Sequence, residues 1–171
     1  MLFEMLFEYL YNLFYTKPKN IYLIKQNKVF QQRKRPDWNS YFLNICEIVK
    51  TRSLDPKTQV GCVIVSLKDH RIISTGYNSI CTGANDSSID WTNRDLAHLL
   101  VIHAESNAIL YAQSKYEDAI LYTTMSPCKD CIKLLSAAKI KKCIYKQEYR
   151  DITQVRELCK FFNIELIKYS L

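Results

Sequence analysis

The sequence predicts an α/β domain, a five-stranded mixed sheet covered by helices on both faces in a three-layer α/β/α sandwich. Two observations carry this expectation. Short apolar runs of strand length recur along the chain, bounded by polar turns. In the C-terminal half these runs alternate with helix-length amphipathic segments, the pattern of parallel crossovers. The 171 residues suffice for one core without disulfide support.

Composition changes at Arg35-Pro36, which divides the chain into an extension, residues 1–35, and a domain, residues 36–171. The first element of the domain is a helix from Asp37, a plausible N-cap, to about Thr51, with Trp38, Tyr41, Phe42, Ile45 and Ile48 on its apolar face. Gln59 to Ser66 reads as a buried strand, and Arg71 to Tyr77 as its partner across the polar turn from Leu67 to His70. Asn78 to Asp95 reads as a long polar loop, a kind of segment that is often functional. A helix follows from about Ile102 to Gln113, then a strand from Ala119 to Thr124. Ser126-Pro127 sets the start of a helix from Cys128 to Ala138. Lys142 to Lys146 is a strand, Ile152 to Phe162 a helix and Ile164 to Lys168 the last strand.

The formal net charge is +7, but it is concentrated. Residues 17 to 35 hold Lys17, Lys19, Lys25, Lys28, Arg33, Lys34 and Arg35 and no acid. The domain that follows is close to neutral, which argues against an extended phosphate-tracking surface on it. Residues 1 to 15 are apolar apart from a stripe of Glu4, Glu8 and Asn12 at helical spacing. That segment is shorter than the roughly 20 residues of a membrane span and lacks the basic start and cleavage site of a signal peptide. Two readings of the extension stand: a helix that lies on a membrane or a partner, followed by a basic stretch, or a helix packed on this or a neighbouring subunit or a poorly ordered extension. Seven cysteines, an odd number without a secretory signal, point to a reducing, cytoplasmic compartment and to metal-bound or buried free thiols. Cys46, Cys62, Cys143 and Cys159 fall in apolar segments and read as core.

Two motifs carry chemistry. His103-Ala104-Glu105 and Pro127-Cys128-Lys129-Asp130-Cys131 fit the pattern H-x-E followed by P-C-x-x-C, the signature of zinc deaminases. Cys128 and Cys131 sit three apart at a helix start, so both sulfurs can face one ion. The free N–H groups there favour thiolates. His103 adds an imidazole nitrogen. Three protein ligands leave the fourth tetrahedral position open for water, as a catalytic zinc site requires. Glu105, two residues beyond the histidine, is placed to move protons rather than to bind metal. Taken alone, Cys-x-x-Cys also fits a redox pair or structural zinc; both motifs together, in this order and each opening a helix, select a catalytic zinc site.

Beyond these motifs the chain from Arg35 onward resembles the deoxycytidylate (dCMP) deaminases of the cytidine deaminase superfamily. The matching stretches are RPDWNSYF (35–42), RSLDPKTQVGCVIV (52–65), STGYN (74–78), HAESNAIL (103–110), SPCKDC (126–131), KLLSAAKIKKCIY (133–145) and QEYRD (147–151). The resemblance implies a cytidine deaminase-like fold, one catalytic Zn2+ and hydrolysis of dCMP to dUMP and ammonia for thymidylate synthesis. It also implies assembly as a homo-oligomer. It assigns His103, Cys128 and Cys131 to zinc and Glu105 to proton transfer. It places Asn78 against sugar and base, Arg52 near the 5′-phosphate, Tyr149 beside the nucleotide, and His98 in the segment that lines the pocket. The chain departs from the family after Gly-Tyr-Asn, where Ser79-Ile80-Cys81-Thr82-Gly83 replaces Gly-x-Pro-x-Gly. That change alters which backbone N–H groups approach a phosphate and leaves dCTP and dTTP as effectors open. Two other functions share the zinc signature. One is a deaminase acting on a tRNA adenosine or a single-stranded cytosine, which the basic extension favours and the neutral domain does not. The other is a zinc-stabilised binding protein without turnover, against which the intact Glu105 argues.

Overall fold

The structure is a computed structural model and describes residues 34–170 except 82, 86–88, 114–117 and 151. The expectations for residues 1–33 fall outside the described residues. The elements are α1 (Trp38–Val49), a 3-10 turn (Lys50–Arg52), β1 (Gly61–Ser66), β2 (Ile72–Tyr77), α2 (Arg94–Leu100), α3 (Ala104–Leu110), β3 (Ala119–Met125), α4 (Lys129–Ala137), β4 (Lys142–Gln147), α5 (Thr153–Phe162) and β5 (Glu165–Lys168). The strand order is β2-β1-β3-β4-β5. β1 runs antiparallel to both β2 and β3, and β3, β4 and β5 are mutually parallel. The sheet is therefore mixed, and each parallel step is bridged by a helix, as strand–helix alternation requires. No described helix is long and apolar enough to cross a membrane.

Strand alternation divides the core. Val63, Val65, Ile120, Tyr122 and Ile144 face α1 and pack with Phe42, Leu43 and Cys46. Cys62, Ile64, Leu121, Cys143 and Tyr145 face the other way, against Ala104 and Ala108 of α3, Ile132 and Leu135 of α4, and Val155 and Cys159 of α5. The four cysteines read as core, Cys46, Cys62, Cys143 and Cys159, are all buried. Two glycines allow the helices to approach the sheet. A Cβ on Gly61 would collide with the Cys46 carbonyl and the Lys50 amide, and one on Gly76 with the Ala104 carbonyl and the Ala108 amide. α1 thus lies with its backbone on β1, and α3 with its backbone on β2.

Two expectations change. The close approach at Gly61 turns Phe42, Leu43 and Cys46 toward the sheet, so the buried stripe of α1 is rotated by roughly 100° from the one its apolar spacing suggests. Trp38 (52% exposed), Tyr41 (43%) and Ile48 (71%) stand outside. Trp38 covers part of itself by stacking on His70, with ring centroids 4.3 Å apart. The second change concerns the long polar loop. It ends two residues early, at Asn93, and gives way to α2, a two-turn helix capped by the Asn93 side chain on the Leu96 amide. The helix expected from Ile102 instead begins at Ala104, because His103 is in extended conformation (φ −68°, ψ 154°).

Candidate active site

α3 and α4 both start at the C-terminal end of the strands they follow or adjoin, and each starts without a conventional cap. N-cap positions favour Ser, Thr, Asp or Asn, whose side chains bond the free amides of the first turn. Here the N-cap residues are His103 and Cys128, both extended, and neither side chain makes a capping bond. Cap stability of about 1 kcal/mol per helix is forgone, and an imidazole and a thiol are left directed at each other. Cys131, one turn into α4, completes the set.

The geometry fits a metal. Cys128 Sγ and Cys131 Sγ each lie 3.4 Å from His103 Nδ1, and all three donor atoms lie within 4.8 Å of one another. Tetrahedral zinc with ordinary Zn–S and Zn–N bonds sets S···N at about 3.6 Å. Among the described residues this is the one such group of His, Cys, Asp and Glu donors. The chemistry of the donors agrees. The hydrogen bond from Cys131, with help from His103, holds the Cys128 thiol down at about 4, so it is a thiolate at neutral pH. The hydrogen bond to the Cys128 thiolate, with burial, pushes Cys131 up. The Cys128 sulfur raises the His103 imidazole. A metal ion displaces the protons that these groups share.

Glu105 is 4% exposed, and burial raises its carboxyl above the usual range. Its helix is fixed from three sides. Cys62 Sγ donates to the Ala104 carbonyl at 3.1 Å. Asn107 Nδ2 donates to the Tyr77 carbonyl at 2.9 Å and to Ser79 Oγ at 3.1 Å. Ser79 and Ile102 exchange backbone hydrogen bonds that aim the chain into His103. The sequence reading did not assign Cys62 or Asn107 this positioning work; the Asn of the matched HAESNAIL stretch was its available signal.

A cleft of about 600 Å³, solvent at its mouth included, opens over His103, Glu105 and Cys128. Asn78, His98 and Tyr149 line it, together with Asp55, Thr58 and Ser126 among others. Asn78 is buried, and its amide is already half used: Oδ1 accepts from the Val60 amide at 2.7 Å and Nδ2 donates to the Thr58 carbonyl at 2.8 Å. One N–H and one lone pair remain for a ligand. Tyr149 is held by its amide on Ser126 Oγ at 3.0 Å. His98 is an exposed part of the rim. Arg52 lies at the exposed end of the 3-10 turn and outside the cleft lining.

The structure adds a pair that spacing did not suggest. Arg94 grips Asp55 with two parallel hydrogen bonds of 2.9 Å. Asp55, 4% exposed, also accepts from the Lys57 and Thr58 amides. Ala97 and His98 of α2 line the same cleft, so the pair latches the helical wall to the loop that holds Asn78. Burial would raise the Asp55 carboxyl, but the bonds from Arg94 and the two amides outweigh it and hold it below its usual value. A depressed folded-state value stabilises the fold above the unfolded value, near 3.9, and that contribution is lost as pH falls through the folded value. Asp55→Asn is therefore expected to cost about 2–3 kcal/mol near pH 7, below the range for a fully buried pair because the Arg94 side chain is 21% exposed. In urea titrations at a series of pH values the difference from wild type should be constant down to about pH 5 and shrink below about pH 4. A difference that did not narrow in acid would contradict an ionised Asp55.

The family described as the cytidine and deoxycytidylate deaminase zinc-binding region matches residues 36–147. The chain is 39% identical over 133 residues to a probable deoxycytidylate deaminase of Caenorhabditis elegans, covering 75% of this chain and 66% of that protein. It is 31% identical over 158 residues to deoxycytidylate deaminase of Schizosaccharomyces pombe, covering 86% of this chain and 48% of that one. The chain thus spans less than two thirds of the length of either relative. Among solved structures, the dCMP deaminase of cyanophage S-TIM5 in complex with dCMP and dUMP superposes with a TM-score of 0.64 at 25% identity, over 80% of this chain and 99% of that one.

Proposed function

Because the chain belongs to the cytidine and deoxycytidylate deaminase family, we propose that it hydrolyses dCMP to dUMP and ammonia with one zinc ion held by His103 Nδ1, Cys128 Sγ and Cys131 Sγ. The observation that carries this reading is the buried Glu105 carboxyl beside three converging metal donors under an open cleft. Zinc in that position supplies Lewis acidity that makes a water nucleophilic at neutral pH.

The residues of the chain do the rest. Glu105 takes a proton from the attacking water and delivers it to ring N3 as oxygen adds to C4. It then carries the second proton to the exocyclic amine, which leaves as ammonia. One carboxyl used twice suffices, since the other acid of the cleft, Asp55, is committed to Arg94, and a raised pKa suits a group that both accepts and returns protons. Asn78 keeps one donor and one acceptor for the sugar and base, Tyr149 forms the wall beside the nucleotide, and His98 stands at the rim.

The relatives' names and the S-TIM5 dCMP–dUMP complex support dCMP as substrate. The product, dUMP, fits a supply role for thymidylate synthesis, and the thiol-rich composition fits a cytoplasmic setting. Assembly as a homo-oligomer is supported by the family resemblance and by the exposed apolar side chains of α1. The division into an extension, residues 1–35, and a catalytic domain, residues 36–171, is supported by the change of composition at Arg35-Pro36 and by the family match beginning at residue 36.

The test is a product balance. The zinc-loaded protein should release dUMP and ammonia in equal amounts from dCMP, lose that activity on chelation and regain it with about one equivalent of Zn2+. Turnover that survives complete removal of the metal would refute the reading.

A further inference from the structure

Preferring a nucleoside monophosphate over a nucleoside calls for donors to the 5′-phosphate, and a cationic side chain is the strongest of these. Resting on the dCMP reading above, we propose that Arg150, carried on Tyr149, is the group that recognises the 5′-phosphate and sets the preference for nucleotide over nucleoside.

Arg94 is committed to Asp55 through Nη1 and Nη2, so its charge is matched by a buried carboxylate. Neither Arg52 nor Arg150 is itself a lining residue, but Arg150 adjoins and stacks on Tyr149, which is. Lys146 is paired with Glu47, and Arg156 and Lys168 share Glu148. Arg150 is different. It is exposed, its guanidinium lies over the Tyr149 ring at 4.7 Å, and Nη2 donates to Tyr149 Oη at 3.1 Å. Among the described residues that hydroxyl is its one polar partner, and no carboxylate pairs with it.

Tyr149 in turn lines the cleft and is anchored by its amide to Ser126, another lining residue. The guanidinium is thus restrained on a ring that lines the cleft, and among the described residues only one of its five N–H donors is committed. Stacking on an aromatic face reduces the entropy lost on binding a phosphate, and a planar fork suits two phosphate oxygens at once. Arg150 follows the C-terminal end of β4, and Cys128 follows the C-terminal end of its parallel neighbour β3, so both lie beyond the same end of the sheet.

The experiment is steady-state deamination of dCMP and deoxycytidine by the zinc-loaded wild type, Arg150→Gln and Arg52→Gln. Arg150→Gln is expected to lower kcat/KM for dCMP by about 10- to 100-fold, the worth of a charge-assisted hydrogen bond. The loss should appear in KM, with kcat/KM for deoxycytidine changed less than about twofold, a split that general damage to the fold would not give. Tyr149→Phe, which keeps the ring and removes the hydroxyl, should give a smaller loss of the same kind. A wild-type preference for dCMP that persists in Arg150→Gln, or one lost in Arg52→Gln instead, overturns the assignment alone. A wild type that turns over dCMP no better than deoxycytidine overturns the substrate reading and the assignment with it.

Discussion

Glu105→Gln is expected to abolish turnover while leaving zinc content and fold intact. The carboxyl is 4% exposed and sits two residues beyond a metal ligand without being one, so the isosteric amide fills the same space. It cannot accept and return a proton. Proton transfer by a placed side chain contributes about 10²- to 10⁴-fold, and a group used for two transfers should fall at the upper end. Rate measurement with metal analysis and thermal unfolding on the same sample separates this from collapse of the site. Normal activity in the variant would overturn the mechanism. Loss of zinc together with activity would make Glu105 a structural part of the centre.

Cys128→Ser is expected to fail differently. Cys128 is the thiolate of the set, lying 3.4 Å from His103 Nδ1, and a serine hydroxyl is a poor zinc ligand near neutral pH. Zinc content should fall to near zero. A ligand held at 100 to 1,000 times its dissociation constant contributes about 2.7–4.1 kcal/mol to stability. At about 2–4 °C per kcal/mol for a chain of this size, the melting temperature should drop by roughly 5–15 °C. The comparison that isolates the metal is the melting temperature of wild type and variant in excess chelator. There the two should converge, and a gap that persisted would mean that the substitution damages α4 rather than zinc binding.

The five strands were legible in the sequence because each is a short run with apolar residues bounded by turns, and β1 and β3 are buried almost throughout and β4 at its centre. The ligands were legible because the chemistry fixes their type and spacing. His103 and Cys128 occupy N-cap positions, which ties each motif to a helix start visible in the pattern. The rest depended on packing. α2 is two turns long and follows a polar stretch, so periodicity could not separate it from the loop. The buried side of α1 was set by Gly61 on β1, not by the apolar residues of the helix itself, and so Trp38 and Ile48 were misassigned to the core. The Asp55–Arg94 pair joins positions 39 residues apart in sequence, a separation at which no local spacing signals a contact. Arg52 and Arg150 both fall in stretches that match the family, RSLDPKTQVGCVIV and QEYRD, yet it is Arg150 that stacks on a residue of the cleft wall.

The most direct test of the account is the deamination of dCMP, CMP, deoxycytidine and dCTP side by side, followed by the ultraviolet change from cytosine to uracil. The account predicts that dCMP has the highest kcat/KM, by at least about tenfold, a difference of about 1.4 kcal/mol. Equal or better turnover of deoxycytidine, or no turnover of any free cytosine nucleotide, would contradict it.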